Sequence, residues 1–251
     1  MQNRMNSMNP EMPQRSRDFD ITSPETQPSR RHAGGFSLAD LLVVLATLAV
    51  LVAVGLPAII AARGKSRQEQ CVNNLRQVAG AVLMYAHDHK DTLPLLRPDA
   101  QKHTWWHYKE LVRSYTGLIG PSSPRDKVFA CPSDRGYDEM GPFSQSAKFG
   151  YGSYVFNGVN LPGLPNIAGR PVASVKEPGR TLLTMEFTAH APLSWHRSLT
   201  GKKNHPFYKD AQSVVGFVDG HVKMIPIYYD GVNPAYTRDP IPGYEYKYSG
   251  D

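Results

Sequence analysis

Charge disappears from the chain between Leu41 and Ala62, a run of 22 residues reading LLVVLATLAVLVAVGLPAIIAA. About 20 apolar residues in a helix cross a hydrocarbon core ~30 Å thick, so the pattern predicts a membrane span. Carried back to Phe36, the stretch holds one charged residue, Asp40. A carboxylate in such a segment is costly and normally has a partner or a function. Pro57 lies inside the run, where it removes one helical hydrogen bond and bends the axis. Beyond Ala62 the pattern changes without ending. Cys71, Leu75, Val78, Val82 and Ala86 recur at three- and four-residue steps, with Val72, Ala79 and Leu83 widening the stripe. Arg67, Glu69, Asn74, Arg76 and Gln77 fill much of the other face. This is the pattern of a helix with one buried stripe. The expectation is one helix from about Phe36 to about His89, roughly 80 Å long, stopped at Asp91–Thr92–Leu93–Pro94 because the residue before a proline avoids helix.

The remaining chain reads as a mixture. Trp105, Trp106, Tyr108, Leu111, Val112 and Tyr115 predict a short helix that buries aromatics. Gly120–Pro121, Pro124 and Cys131–Pro132–Ser133–Asp134 read as loop. Strands are expected at Tyr151–Phe156, Thr181–Phe187, Ser213–Val218 and His221–Ile227, with an irregular Gly- and Pro-rich stretch from Asn157 to Gly179. Asp219–Gly220 predicts a two-residue hairpin turn joining the last two strands. The tail from Asp230 has little periodicity and reads as a covering loop. The fold class is therefore α+β, with a long N-terminal helix entering a globular domain built on an antiparallel sheet.

Composition narrows the function. The 189 residues from 63 to 251 are enough for one domain with its own core. The formal charge is +6 and the pI about 9.2, but no dense Lys/Arg block is present, which argues against nucleic acid as a partner. Arg30, Arg31 and His32 precede the span and Arg63, Lys65 and Arg67 follow it, so the positive-inside rule does not orient it. Residues 1–35 are polar and proline-bearing and read as a disordered segment that is removed.

The motif GG–FSLADLL, with Gly35 before the cut, Phe36 after it and Asp40 fifth in the cut chain, resembles the leader of type IV prepilins and type II secretion pseudopilins. Asp40 stands where that family usually carries Glu, and Pro57 falls where many members carry a helix-bending proline. CVNNLRQ (Cys71–Gln77), YAHDHKDTLP (Tyr85–Pro94), VFACPSD (Val128–Asp134), GYGSYVFN (Gly150–Asn157), EPGRTLLTME (Glu177–Glu186) and GFVDGHVK (Gly216–Lys223) follow in order. The ordered set is similar to a prepilin-like family with a C-terminal DGHV hairpin, found in Planctomycetes and Verrucomicrobia. Related chains often place a histidine ten residues before the DG aspartate; here that residue is Lys209, and the nearest upstream histidine is His205.

The resemblance implies a type IV pilin-like fold and a division into a cleaved leader (1–35), a transmembrane half-helix (36–62) and a periplasmic globular domain (63–251). It implies cutting after Gly35 by prepilin peptidase, N-methylation of Phe36, and assembly with other pseudopilin or pilin subunits. In that assembly Asp40 pairs with a neighbour's amino terminus, and the chain is held in the inner membrane as a single pass. Protein secretion or a pilus-like filament is the setting, and the chain is not an enzyme. The competing reading is a membrane-anchored periplasmic binding protein or enzyme that uses the leader only for export. A secreted protein cut near Ala58–Ala62 would leave Asp40 unexplained. In a periplasmic domain Cys71 and Cys131 either form a disulfide, closing a loop of about 60 residues worth roughly 4 kcal/mol in chain entropy, or remain buried thiols.

Other residues have types and spacings that bear on metal or catalytic chemistry. His87 and His89 flank Asp88, but residues two apart on a helix do not face each other. His103 and His107 are four apart, yet no HExxH pattern joins them. Asp210, Asp219 and Asp230 offer the oxygen donors calcium uses, without a dense acidic loop. In Asp219–Gly220–His221 the turn accounts for Asp and Gly. No P-loop, Rossmann or GxSxG motif is present. No cofactor is expected other than this calcium candidate.

Overall fold

The computed structural model describes residues 35–95, 105–137, 141–159, 162–198, 209–229 and 235–251. The expectations for the leader before Gly35, and for His103, His205 and Asp230, fall outside these residues. The chain divides into two compact units, one ending at Val50 and one running from Leu51 to Asp251. In the first, the described residues form the beginning of α1 (Leu38–Asp88). The second holds the rest of α1, α2 (Tyr108–Val112) and the strands β1 (Tyr154–Phe156), β2 (Leu182–Glu186), β3 (Gln212–Phe217) and β4 (Val222–Pro226).

α1 carries two different surfaces. From Leu41 to Ala62 every residue except Gly55 is exposed, and the stretch is long and apolar enough to cross a membrane. From Cys71 to Ala86 the helix buries Cys71, Leu75, Val78, Ala79, Val82 and Ala86 as the spacing predicts, adds Ala81, and leaves Val72 and Leu83 half-buried at the stripe's edges. Asn74 departs from expectation by being buried with them. Its Nδ2 donates to the carbonyls of Lys127 (3.1 Å) and Ala130 (2.8 Å), so the amide pins a loop to the helix. The helix stops before the Asp91–Pro94 segment, because Lys90 and Asp91 both take positive φ (58° and 59°). Two consecutive left-handed residues cannot continue a right-handed helix. The Asp91 carbonyl accepts from Val172 N (2.8 Å) and its carboxylate from Ala173 N (3.1 Å), which fixes the reversal.

The four strands form one antiparallel sheet in the order β1-β2-β3-β4. β1, β2 and nearly all of β3 are buried, and β4 is the more open edge. The expected first strand is shorter than predicted, since Gly150 and Tyr151 are both left-handed. The turn between β3 and β4 is also corrected. Phe217 N donates to His221 O (2.9 Å) and Gly220 N to Phe217 O (2.9 Å), so the loop is the three residues Val218–Asp219–Gly220, with Gly220 alone at positive φ (90°). This is a turn followed by a left-handed residue, which glycine fills without steric cost.

The helix stripe lies on the sheet where Gly216 of β3 leaves room for Ala79. The tail does more than cover. Leu182 N donates to Lys247 O (3.0 Å) and Asn157 Nδ2 to Tyr248 O (2.8 Å), and Tyr246 and Tyr248 are buried in the core.

Candidate functional site

The N-terminal residues singled out by sequence sit on open surface. Phe36 is 88% exposed. Ser37 precedes the first turn of α1, and its Oγ accepts from Asp40 N (3.1 Å) while Ser37 N donates to Asp40 Oδ2 (2.9 Å). This reciprocal pair is a capping box, which satisfies two donors at a helix start. Asp40 therefore has a local structural role at the start of α1. Pro57 lies within α1, on the exposed apolar stretch.

A second site forms where four distant segments meet. Cys71 comes from the buried face of α1, Cys131 from the loop after a 3₁₀ turn at Lys127–Phe129, Glu186 from the end of β2, and His196 from the chain leading into β3. Cys71 and Cys131 are joined by a disulfide (S–S 2.14 Å, Cα–Cα 4.8 Å). Glu186 is fully buried. Its Oε1 lies 2.7 Å from His196 Nε2, and its Oε2 accepts from Val214 N (2.9 Å). The same His196 Nε2 is 3.6 Å from Cys131 Sγ. One potential ligand atom from each of the four residues lies within 4.8 Å of the others. Burial disfavours a charged imidazole here, but the Glu186 carboxylate outweighs that cost and holds His196 above its ordinary pKa.

Backbone and side-chain bonds fix this cluster from outside. Ser133 N donates to Cys131 Sγ (3.4 Å) and Cys131 N to Ser153 Oγ (2.9 Å). Ser153 Oγ in turn donates to Asp134 Oδ2 (2.8 Å), and Asp134 also receives Gly136 N (2.8 Å) and Ser144 N (2.9 Å). Burial raises the Asp134 carboxyl despite these donors. Ser194 Oγ accepts from His196 N (3.1 Å) and Arg197 N (2.7 Å), which shapes the turn that presents His196. A cleft of about 370 Å³ opens beside the cluster, lined in part by Lys65, Arg67, Pro132, Ser133 and His196.

The two described calcium candidates, Asp210 and Asp219, are not brought together. Asp210 and Asp219 stand at opposite ends of β3, some 20 Å of strand apart at ~3.4 Å per residue. Asp219 Oδ1 accepts from His221 N (3.1 Å) and contacts His221 Nδ1 (2.6 Å), while Asp210 Oδ1 accepts from Ser198 Oγ (2.8 Å). His107 sits immediately before α2.

No family model, curated protein or solved structure matches this chain. Sequence reasoning treated the cysteines as a pair and passed over Glu186 and His196. The available signal was Glu186 itself, an acid closing the otherwise uncharged strand LLTME.

Proposed function

We propose that this chain is a pseudopilin-like structural subunit, anchored by the first half of α1 and assembled through it. The observation that carries the reading is the exposed, uncharged surface from Leu41 to Ala62, directly after the Ser37–Asp40 cap. That surface is apolar and exposed, so lipid or neighbouring helices must cover it. Cutting between Gly35 and Phe36 would create an amino group within reach of Asp40 on an adjacent helix. In a side-by-side bundle each carboxylate would then be neutralised by a neighbour. A buried acid without such a partner is strongly destabilising, so the pairing sets the stagger between subunits. The globular unit, on the periplasmic side, would form the filament surface.

Asp40→Ala tests this reading. The expected result is normal cleavage after Gly35 and strongly reduced recovery of the chain in sheared filaments or in membrane complexes with other pseudopilins. Normal incorporation of the variant would refute the pairing role. A cut chain that stays monomeric in the membrane with Asp40 intact would support the tethered binding protein or enzyme instead.

A further inference from the structure

A disulfide between Cys71 and Cys131 is chemically complete and needs no buried carboxylate or imidazole beside it. Yet Glu186 and His196 are both withdrawn from water, with His196 Nε2 3.6 Å from Cys131 Sγ and a Glu186 oxygen within 4.8 Å of both sulfurs. Burying such a pair costs several kcal/mol per ion before their attraction is counted. Two cysteines, a histidine and a carboxylate are a donor set that Zn²⁺ takes in tetrahedral geometry. We propose that the reduced Cys71–Cys131 pair, with His196 and Glu186, is a four-ligand zinc site, and that disulfide and metal are alternative occupants of one position.

The geometry is close to what the ion requires. Zinc–sulfur and zinc–nitrogen bonds of about 2.3 and 2.1 Å give ligand–ligand edges of roughly 3.4–3.8 Å. The 3.6 Å between Cys131 Sγ and His196 Nε2 already lies in that range. The Glu186–His196 contact of 2.7 Å must open by under an ångström, the sulfurs must separate on reduction, and the widest donor separation, within 4.8 Å, must close by about an ångström. Once the disulfide is reduced, χ1 rotation of either cysteine moves its sulfur without disturbing the backbone bonds that hold the loop. Outer contacts are in place as well. Val214 N holds the far oxygen of Glu186, and Ser133 N donates to Cys131 Sγ, which favours thiolate. The neighbouring cleft, with Pro132, Ser133 and His196 on its wall, gives the ion a route in.

The interconversion balances. A thiol reductant supplies two electrons and two protons to the disulfide and is itself oxidised to a disulfide. Zn²⁺ then displaces the two thiol protons, and His196 Nε2 releases its own proton as it binds. An oxidant of the disulfide class reverses the sequence and expels the ion.

The test uses the full chain in detergent micelles, reduced with a phosphine, freed of reductant without air, and titrated with Zn²⁺ or with Co²⁺ as a spectroscopic substitute. The expected result is one metal per reduced chain, with thiolate-to-cobalt charge transfer and the intense visible bands of a tetrahedral centre. Reoxidation should release the metal. His196→Gln and Glu186→Gln, each shown by circular dichroism to fold in the oxidised form, should lower affinity at least tenfold; Cys131→Ser should roughly halve the charge-transfer intensity per bound metal, and replacing both cysteines by serine should abolish it. Metal bound without thiolate bands, affinity unchanged in both variants, or a reduced chain that unfolds and is not restored by zinc would each overturn the proposal.

Discussion

His190 carries the clearest pH dependence of any single residue. It is buried among Trp105, Phe187, Tyr236 and Tyr248, and burial pushes its pKa down from 6.5 to about 3. The unfolded chain therefore takes up this proton first as the pH falls. The resulting stability is complete above about pH 6.5 and is lost progressively as the pH drops to about 3, on the order of 4 kcal/mol in total. Denaturant melts across that window should show the loss, and His190→Gln should flatten the slope; an unchanged slope would show that His190 is accessible to protons in the folded chain. Asp126 is the matching case among acids. Burial opposes its charge, but Arg113 (3.0 Å) and Lys109 (3.0 Å) outweigh it and hold the carboxyl down at about 2. Lys109 also donates to the carbonyls of Gly150 (2.7 Å) and Tyr151 (3.1 Å), and Arg113 to that of Gly120. Asp126→Asn leaves two buried cations facing each other. It should cost roughly 3–5 kcal/mol, read as a shift in denaturant midpoint at neutral pH, and a loss below 1 kcal/mol would contradict the buried-network account.

At the scale of elements, Gly216 of β3 sits at a close meeting of three strands and α1. A Cβ on Gly216 would lie 3.0 Å from Thr184 Oγ1, 3.3 Å from Val222 Cγ2 and 3.4 Å from Ala79 Cβ. Helix and sheet meet there through two of the smallest residues. Gly216→Val should destabilise the domain by about 1–3 kcal/mol through overpacking, whereas Gly243→Val, with open space around its Cβ position, tests only the backbone cost of its positive φ (82°). Equal stability of Gly216→Val and the native chain would mean that α1 sits farther from the sheet. The helix and the four strands were legible in the sequence because each has a repeating pattern, 3.6 for Cys71–Ala86 and short apolar runs for the strands. Their ends were less legible. Lys90, Asp91 and Tyr151 adopt left-handed conformations that the hydrophobic pattern does not announce; the helix nonetheless ends within a residue of its expected end, while the start of β1 shifts from Tyr151 to Tyr154. Asn74 looked polar and therefore exposed, because the carbonyls it satisfies come from residues 53 and 56 positions away. The same distance in sequence hid the Glu186–His196 pair beside the cysteines. No periodicity links α1, a loop, β2 and the segment before β3; only the folded chain does.

The whole molecule joins two demands in one helix. Its first part is an apolar, exposed stretch, and its second part supplies the stripe around which the sheet and tail are packed. If the exposed surface is the assembly surface, the amino group made by cutting before Phe36 is as necessary as the Asp40 carboxylate. The most direct measurement is the mass and sequence of the mature N-terminus of the protein isolated from native membranes. The account predicts a chain that begins with N-methyl-Phe36. A chain that begins beyond Ala58, or one that retains the residues before Gly35, would contradict it.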